Sequence, residues 1–396
     1  MRRVAFVTSH PIQYQVPVFR ELTRRGNVDF TAVFAQIPDS AAQGSGFGVA
    51  FEWDVPLLEG YNYHVLENVA RNPSLVEYNG CDTPGIKDYI HEQQFDAVVV
   101  NGWVVKTCWQ TLQACRSLGI PCIVRGEANH LRKRPWWKKL LQRFLVRSYS
   151  GYLYIGEANK AFYKSYGVQD AQLFPCRYCI ENKRFAAASE NSKLRSQARE
   201  RWSIPADVVC YLFSGKFETK KHPVELINAF REAHQQGMRA HLLMVGDGEL
   251  RGECEAIVRA ANLPVTFAGF VNQSQMPEAY LASDCLALPS DAGETWGLVT
   301  NEAMACGRPA LVSDLVGCRE DLILEGETGH SFKFGDWTAL TRWLVQLSQQ
   351  ADKLKSMGCR AKEHVQEYSP ENAAKGIESA VVALGKGVDD QPGDAL

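Results

Sequence analysis

The chain has 396 residues, with 43 Lys and Arg against 45 Asp and Glu; 45% of residues are hydrophobic and 22% charged. That composition excludes a mainly disordered chain, and the formal net charge of −2 argues against a nucleic-acid coat protein. At roughly 150 residues per domain, the length predicts two domains, with room for a third.

The opening run, residues 3–7, ends at Thr8 and reads into His10-Pro11 without a small-residue cleavage site, so it is read as a buried strand rather than a signal peptide. Further strands are expected at 30–34, 97–100, 121–124 and 152–155, with amphipathic helices at 16–25, 107–118 and 136–148. The rhythm restarts in the second half, with strands at 208–213, 241–245, 265–267, 285–288 and 310–312. Alternation of this kind signals βαβ units and parallel sheets. The seam is expected between Leu173 and Phe185. Residues 1–175 then form a first domain, 176–368 a second, and 369–396 a last helix with a polar tail that frays beyond Asp389. No apolar run approaches the ~20 residues of a membrane span. A cytoplasmic location follows as the expectation, with the inner face of the cell membrane as the variant of it. Twelve cysteines are scattered along the chain, and only Cys176 and Cys179 stand at metal or redox spacing. With no second pair to complete a zinc site, reduced, buried thiols are expected.

The most informative stretch runs from Ser290 to Glu320. It follows an apolar strand, so it leaves a strand's carboxyl end, where open α/β sheets bind ligands. Gly297 lets backbone approach a ligand, and the amides from Gly297 to Thr300 would point out of a helix N-terminus, an arrangement suited to a diphosphate. Glu302 follows Glu294 by eight residues and could accept hydrogen bonds from two vicinal hydroxyls. Two such glutamates alone are ordinary solvated helix charge; the surrounding residues change that reading.

The stretch Ser290-Asp291-Ala292-Gly293-Glu294-Thr295-Trp296-Gly297, continued through Leu298 to Pro309, resembles the signature of the family-four retaining, nucleotide-sugar-dependent glycosyltransferases. Ser313 to Gly317, Gly326 to Gly329, Phe213 to Lys221, Val245 to Gly248 and Gly269-Phe270-Val271 extend the likeness. The resemblance implies a GT-B fold: two Rossmann-like doubly wound domains facing a central cleft, with a C-terminal helix crossing back to the first domain. By the same likeness, Glu302 would bind the ribose hydroxyls, Glu294 the hydroxyls of the transferred sugar, and the backbone at Gly297 and Leu298 the diphosphate. Lys216 and Lys221 would neutralise that diphosphate and the charge growing on the leaving group. Gly215, Gly246, Phe270, Val271, Trp296 and Val299 join them on the donor side. The family usually has arginine where Lys216 stands, and lysine gives up the bidentate fork. No Asp-x-Asp occurs in the chain, so transfer without a metal or any other cofactor is expected.

The first half matches more loosely and should hold the acceptor. Ser9-His10-Pro11-Ile12-Gln13 replaces the family's glycine-rich loop, making His10 and Gln13 candidates. Where many relatives carry a histidine six residues after the proline of a later strand, this chain has Glu127. Either Glu127 takes that catalytic role or His130 reaches in, with Glu127 in the direct register. Arg125 would pair with Glu127 or bind an anionic acceptor, and Asn101 would line the same cleft. Residues 131–147 are basic, with Trp136, Trp137, Leu140, Leu141, Phe144 and Leu145 at helical spacing. Such a helix either buries its apolar face in its own domain or makes peripheral contact with an anionic membrane.

The reading is a retaining hexosyltransferase, UDP-sugar favoured, acting on a glycan, lipid-linked or small-molecule acceptor in glycan, polysaccharide or glycolipid biosynthesis. A sugar-nucleotide epimerase of the same fold and a non-catalytic nucleotide-sugar-binding subunit are the alternatives; nucleic acid is not an expected partner. Replacing Lys221 or Glu302 by Ala is expected to abolish transfer and leave folding intact.

Overall fold

The structure is a computed structural model that describes residues 1–40, 51–75, 77–132, 134–189, 191 and 193–385. The chain divides into two compact units: Met1–Ala42, Pro56–Tyr178 and Pro370–Leu396 form one, and Gln43–Val55 and Cys179–Ser369 the other. The break falls after Tyr178, inside the 173–185 seam and three residues past the 175 boundary read from sequence, because the Tyr178 backbone N–H donates to Ile155 and its hydroxyl to Glu127. Residues 51–55 go with the second unit, a division of the first half that no composition shift announces.

The first unit carries seven parallel strands: β1 (Arg2–Thr8), β2 (Val28–Phe34), β3 (Asn62–Val65), β4 (Ala97–Asn101), β5 (Cys122–Gly126), β6 (Gly151–Tyr154) and β7 (Leu173–Pro175), in the order β3-β2-β1-β4-β5-β6-β7. The inner strand β1 pairs on both sides, Val4 opposite both Phe30 and Ala97, and is fully buried from Val4 to Val7. A parallel strand covered on both faces has no polar side to alternate, hence the unbroken apolar run. Helices α1 (Val16–Arg25), α2 (Lys106–Leu118), α3 (Trp136–Val146) and α4 (Glu157–Ser165) belong to this unit. The expected helix at 136–148 ends two residues early.

The second unit has six parallel strands: β8 (Val209–Ser214), β9 (Ala240–Val245), β10 (Val265–Gly269), β11 (Cys285–Leu288), β12 (Ala310–Ser313) and β13 (Gly329–Phe332), in the order β10-β9-β8-β11-β12-β13. Every residue of β8 is buried, and Tyr211 sits opposite Leu242 on one side and Cys285 on the other. The helices that matter to the site are α5 (Pro223–Gln235) and α6 (Leu298–Ala305). Beyond them the chain returns to the first unit as α7 (Pro370–Leu384), with Pro370 in its first turn, where a missing N–H costs nothing. There Glu378 accepts two hydrogen bonds from the Arg25 guanidinium, both 2.8 Å, and one from Asn27.

All twelve cysteines are unbridged, and eleven are buried. Among the described residues no helix is long and apolar enough to cross a membrane. The polar tail beyond Asp389 lies outside the described residues.

Candidate functional site

In each sheet the strand order reverses at one strand, and the loops leaving the carboxyl ends there diverge around a crevice. In the second unit the reversal falls at β8, so the relevant loops follow β8 and β11. They contain Lys216, Lys221 and Glu294.

The β8 loop is locked to its neighbour through backbone. The Gly215 N–H donates to Val245 and the Phe217 N–H to Asp247, at 3.0 and 2.9 Å. Gly246 has φ +123°, and a Cβ there would lie 1.9 Å from the Gly215 carbonyl oxygen. Glycine is therefore required twice over, for its dihedral and for the space. Buried Phe217 pins the middle of the loop, with partly buried Lys216 before it and Lys221 after it. Lys221 closes a short 3-10 turn and forms an ion pair with Glu294; the two side chains are 12% and 14% exposed. Burial, reinforced by the neighbouring Lys220 and Lys221, holds the Lys216 pKa below its ordinary value despite nearby Glu218. The loop thus concentrates positive charge, with Glu294 and Glu218 as the local counter-charges.

Asp291 braces the second loop. Its N–H donates to the Lys220 carbonyl (3.0 Å), and its carboxylate accepts from the Gly293 N–H (2.6 Å). His222, at the head of α5, lies 3.0 Å from Glu225 and 3.7 Å from Asp291. Burial pulls the His222 pKa down, but the two carboxylates outweigh it and the net shift is upward. Further along, the Gly317 N–H holds the Glu294 carbonyl and the Cys318 N–H holds that of Trp296, at 3.1 and 2.9 Å. Gly297 then turns the chain into α6 with φ +99°. An α-helix leaves its first N–H groups without internal acceptors, and here the half-buried Leu298 and Val299 carry them. A positive helix end beside three lysines is an arrangement suited to an anion.

Glu302 sits in the second turn of α6, 8% exposed, and accepts a 2.6 Å hydrogen bond from the Tyr280 hydroxyl. Burial raises its pKa, while Tyr280, Arg184 and Gln273 pull the other way. Arg184 is itself held by Gln273 (2.8 Å) and Glu181 (3.3 Å). Sequence reasoning missed all three partners of Glu302; a cation just past the seam was the only available signal. Trp296, expected to touch the donor, does something else. Its indole is buried, donates from Nε1 to Asn301 (2.8 Å), and lies 6.0 Å from the Tyr368 ring, so it anchors the start of α6. Phe270 and Val271 follow β10 as expected. The Phe51 ring packs on Phe270 with centroids 4.2 Å apart, Asn272 donates to the Glu52 carbonyl (2.7 Å), and Asp54 accepts from the Ser274 N–H (3.0 Å).

In the first unit the reversal falls at β1, beside β4. Asn101 ends β4 and donates to Thr8 at the end of β1 (3.3 Å); Arg125, in β5 and 5% exposed, reaches Asn101 at 3.5 Å. The Arg125 guanidinium also lies 4.6 Å from the centre of the Tyr178 ring, whose hydroxyl donates to Glu127. Tyr14 meets Tyr178 edge-on at 5.3 Å; burial first, and then Glu127, push its pKa up to about 12. Asn101, Arg125 and Glu127 are thus brought together, with Tyr14 and Tyr178 as partners the sequence did not single out. His10 follows β1 with Nδ1 2.8 Å from the Ser9 hydroxyl, and burial lowers its pKa to about 4, so the ring is neutral. Gln13 lies half-buried in the turn that leads into α1. His130 is not with them. Its Nε2 bonds Ser165 at 2.7 Å and its ring packs on Phe162, so it belongs to the face of α4. Among the described residues no group of three or more His, Cys, Asp or Glu could hold a metal ion.

Two doubly wound parallel sheets, with the last helix returning to the first, define a GT-B fold, and the solved structures agree. An Anabaena protein, HepE, crystallised with UDP and glucose, aligns with a TM-score of 0.74 at 14% identity, covering 97% of this chain and all of that one. Sucrose-phosphate synthase from Thermosynechococcus elongatus aligns with a TM-score of 0.68 at 18% identity, over 97% and 99%. Residues 195–364 match the family model of the glycosyl transferases group 1. A GDP-mannose-dependent phosphatidylinositol dimannoside mannosyltransferase of Mycobacterium tuberculosis is 33% identical over 118 residues, 30% of each chain. An N-acetyl-glucosaminyl malate synthase of Bacillus anthracis is 30% identical over 174 residues, 43% of this chain and 44% of that one. These matches span less than half of the curated relatives' length.

Proposed function

We propose that the chain is a glycosyltransferase that moves a hexose-type sugar from a nucleoside diphosphate to an acceptor hydroxyl, with retention at the anomeric carbon and without a metal ion. The observation that carries this is the meeting, at the carboxyl ends of β8 and β11, of Lys216, Lys221, Glu294 and the open N-terminus of α6. Fixed cations aimed at a leaving diphosphate stabilise charge that grows only as the sugar–phosphate bond breaks. They can do the work a divalent cation does elsewhere.

In this reading the bond from anomeric carbon to phosphate oxygen breaks while the acceptor oxygen bonds the same face, and the acceptor proton passes to the leaving phosphate. No side chain acts as a nucleophile; Glu294 is tied to Lys221 and holds sugar hydroxyls. Glu302 takes the ribose diol, and Phe270 and Val271 bound the base. Arg125 and Glu127, with Asn101, His10 and Gln13, serve the acceptor, whether glycan, lipid-linked or small molecule. UDP is the favoured nucleotide, in line with the ligand of the Anabaena neighbour, although the mycobacterial relative is named for GDP-mannose.

A thermal-shift panel of UDP, GDP and ADP and their common sugars, with and without EDTA, tests the proposal. Ligand at a hundred times its Kd adds about 2.7 kcal/mol to the folded state. One base is expected to give a clear shift that EDTA leaves unchanged, and its sugar to be transferred with the anomeric configuration kept. No shift with any nucleotide overturns the donor site; a shift abolished by EDTA overturns metal independence.

A further inference from the structure

Between Ala128 and Gly156 the sequence has seven Lys and Arg and no acidic residue. In the middle of this run α3 turns only Leu145 and Val146 into the unit. Trp136, Trp137, Leu140, Leu141 and Phe144 are exposed, Trp136 at 74% and Phe144 at 75%. At 100° per residue the five fall on one arc of about 140°, with Lys139 and Arg143 along one border of it and Arg147 capping the helix just beyond. Scattered surface apolar residues need no explanation, but one contiguous face of two tryptophans, a phenylalanine and two leucines does. Beside the helix an open groove of about 590 Å³ runs between α2 and α3. Trp103, Trp109, Leu112, Leu141 and Phe144 line it, and no acidic residue does.

Charge selects the occupant. A second copy of the chain would bring the same cations against themselves. A protein partner would meet a wide apolar arc bordered by positive charge alone. A bilayer rich in anionic phospholipid matches every part: acyl carbons for the arc, headgroup level for the indoles, and phosphates for long cationic side chains that bury their stems and keep their heads in water.

We propose that α3 is an interfacial anchor. It lies flat on an anionic phospholipid bilayer, with Trp136, Trp137, Leu140, Leu141 and Phe144 among the upper acyl carbons and Lys139, Arg143 and Arg147 at the phosphates. The groove, continuous with the arc through Leu141 and Phe144, gives an acyl chain a place beside the helix. This anchoring does not depend on the transfer reading.

The test is co-sedimentation of the full chain with vesicles of phosphatidylcholine alone and of phosphatidylcholine mixed with phosphatidylglycerol. Binding is expected only to the mixed vesicles and should weaken with added salt. The triple variant Trp136→Ser, Leu140→Ser, Phe144→Ser should lose it. Lys139→Glu with Arg143→Glu, which leaves the apolar arc untouched and so stands if the triple variant fails to fold, should weaken it about tenfold or more. Both variants should keep the wild-type melting temperature and nucleotide response. No binding to the mixed vesicles, equal binding to both compositions, or binding unchanged in both variants overturns the proposal. So does self-association without vesicle binding that the triple variant abolishes, which would assign the face to a second copy.

Discussion

Lys221 and Glu294 are the pair on which the donor site can be tested without any substrate. Both side chains are nearly out of water, at 12% and 14% exposure, and each is the other's counter-charge. Lys221→Met removes the cation and leaves a buried carboxylate without its partner. Breaking a fully buried pair costs about 3–5 kcal/mol; the residual exposure here lets water reduce that to about 2–3 kcal/mol. For a unit of this size each kcal/mol moves Tm by about 2–4 °C, so the variant should melt roughly 4–12 °C lower. The variant should still fold, as expected for truncation of Lys221, but with that measurable loss of stability. The double variant Lys221→Met, Glu294→Gln removes the orphaned charge as well and should recover to within about 1 kcal/mol of wild type. Both should be inactive in transfer, separating stability from chemistry. Calorimetry of the two variants and wild type decides it. A single variant that melts with wild type would refute the reasoning, because it would mean the pair is not desolvated in solution.

Two buried carboxylates should show opposite pH signatures. Burial raises the folded pKa of Glu302, so its stabilising contribution is complete below the ordinary carboxylate range and is lost as pH rises through the folded value. Glu302→Gln escapes that loss, and its melting advantage over wild type should open with rising pH even as nucleotide binding fails; an advantage independent of pH would count against the assignment. Burial also opposes ionisation of Glu378, but Arg25 and Asn27 outweigh it and the net shift is downward. Its contribution is present above the ordinary range and lost as pH falls, so Glu378→Gln should be less stable at neutral pH and converge on wild type in acid, as urea titrations at several pH values would read. Gly246→Ala forces a left-handed backbone and a Cβ into the Gly215 carbonyl. A loss of about 3 kcal/mol or more is expected on chemical denaturation, together with the nucleotide thermal shift, and a fully stable variant would contradict the loop contact.

The parts of the fold legible in the sequence are those where one physical cause dominates. β1 and β8 are buried on both faces and read as uninterrupted apolar runs; α1 carries its apolar face in plain periodicity and ends at a left-handed Gly26. β3 was silent because Asn62–Val65 is a largely exposed edge strand, and β13 because Gly-His-Ser-Phe carries no strand pattern; both are recruited by the pairing of a neighbour. At the site, residues fixed by backbone demands, Gly246 and Gly297, could be placed from sequence. Partners that arrive from far along the chain, such as Tyr280 and Arg184 around Glu302, could not. Trp296 shows the same limit, since the indole's direction depends on Asn301 and Tyr368 rather than on the motif around it. For α3 periodicity gave the helix and the apolar face, but not which way that face points.

Residues 51–55 hold to Asn272 and Ser274 of the second unit, while α7 holds to Arg25 and Asn27 of the first. Among the described residues the chain changes unit at 55/56, 178/179 and 369/370, and residues 51–55 already belong to the second unit. A hybrid enzyme made by joining two relatives at the single central junction would inherit a mismatched strap on one half and a mismatched last helix on the other. A working graft of donor preference must carry residues 51–55 along with 179–369 and leave the final helix with its original host.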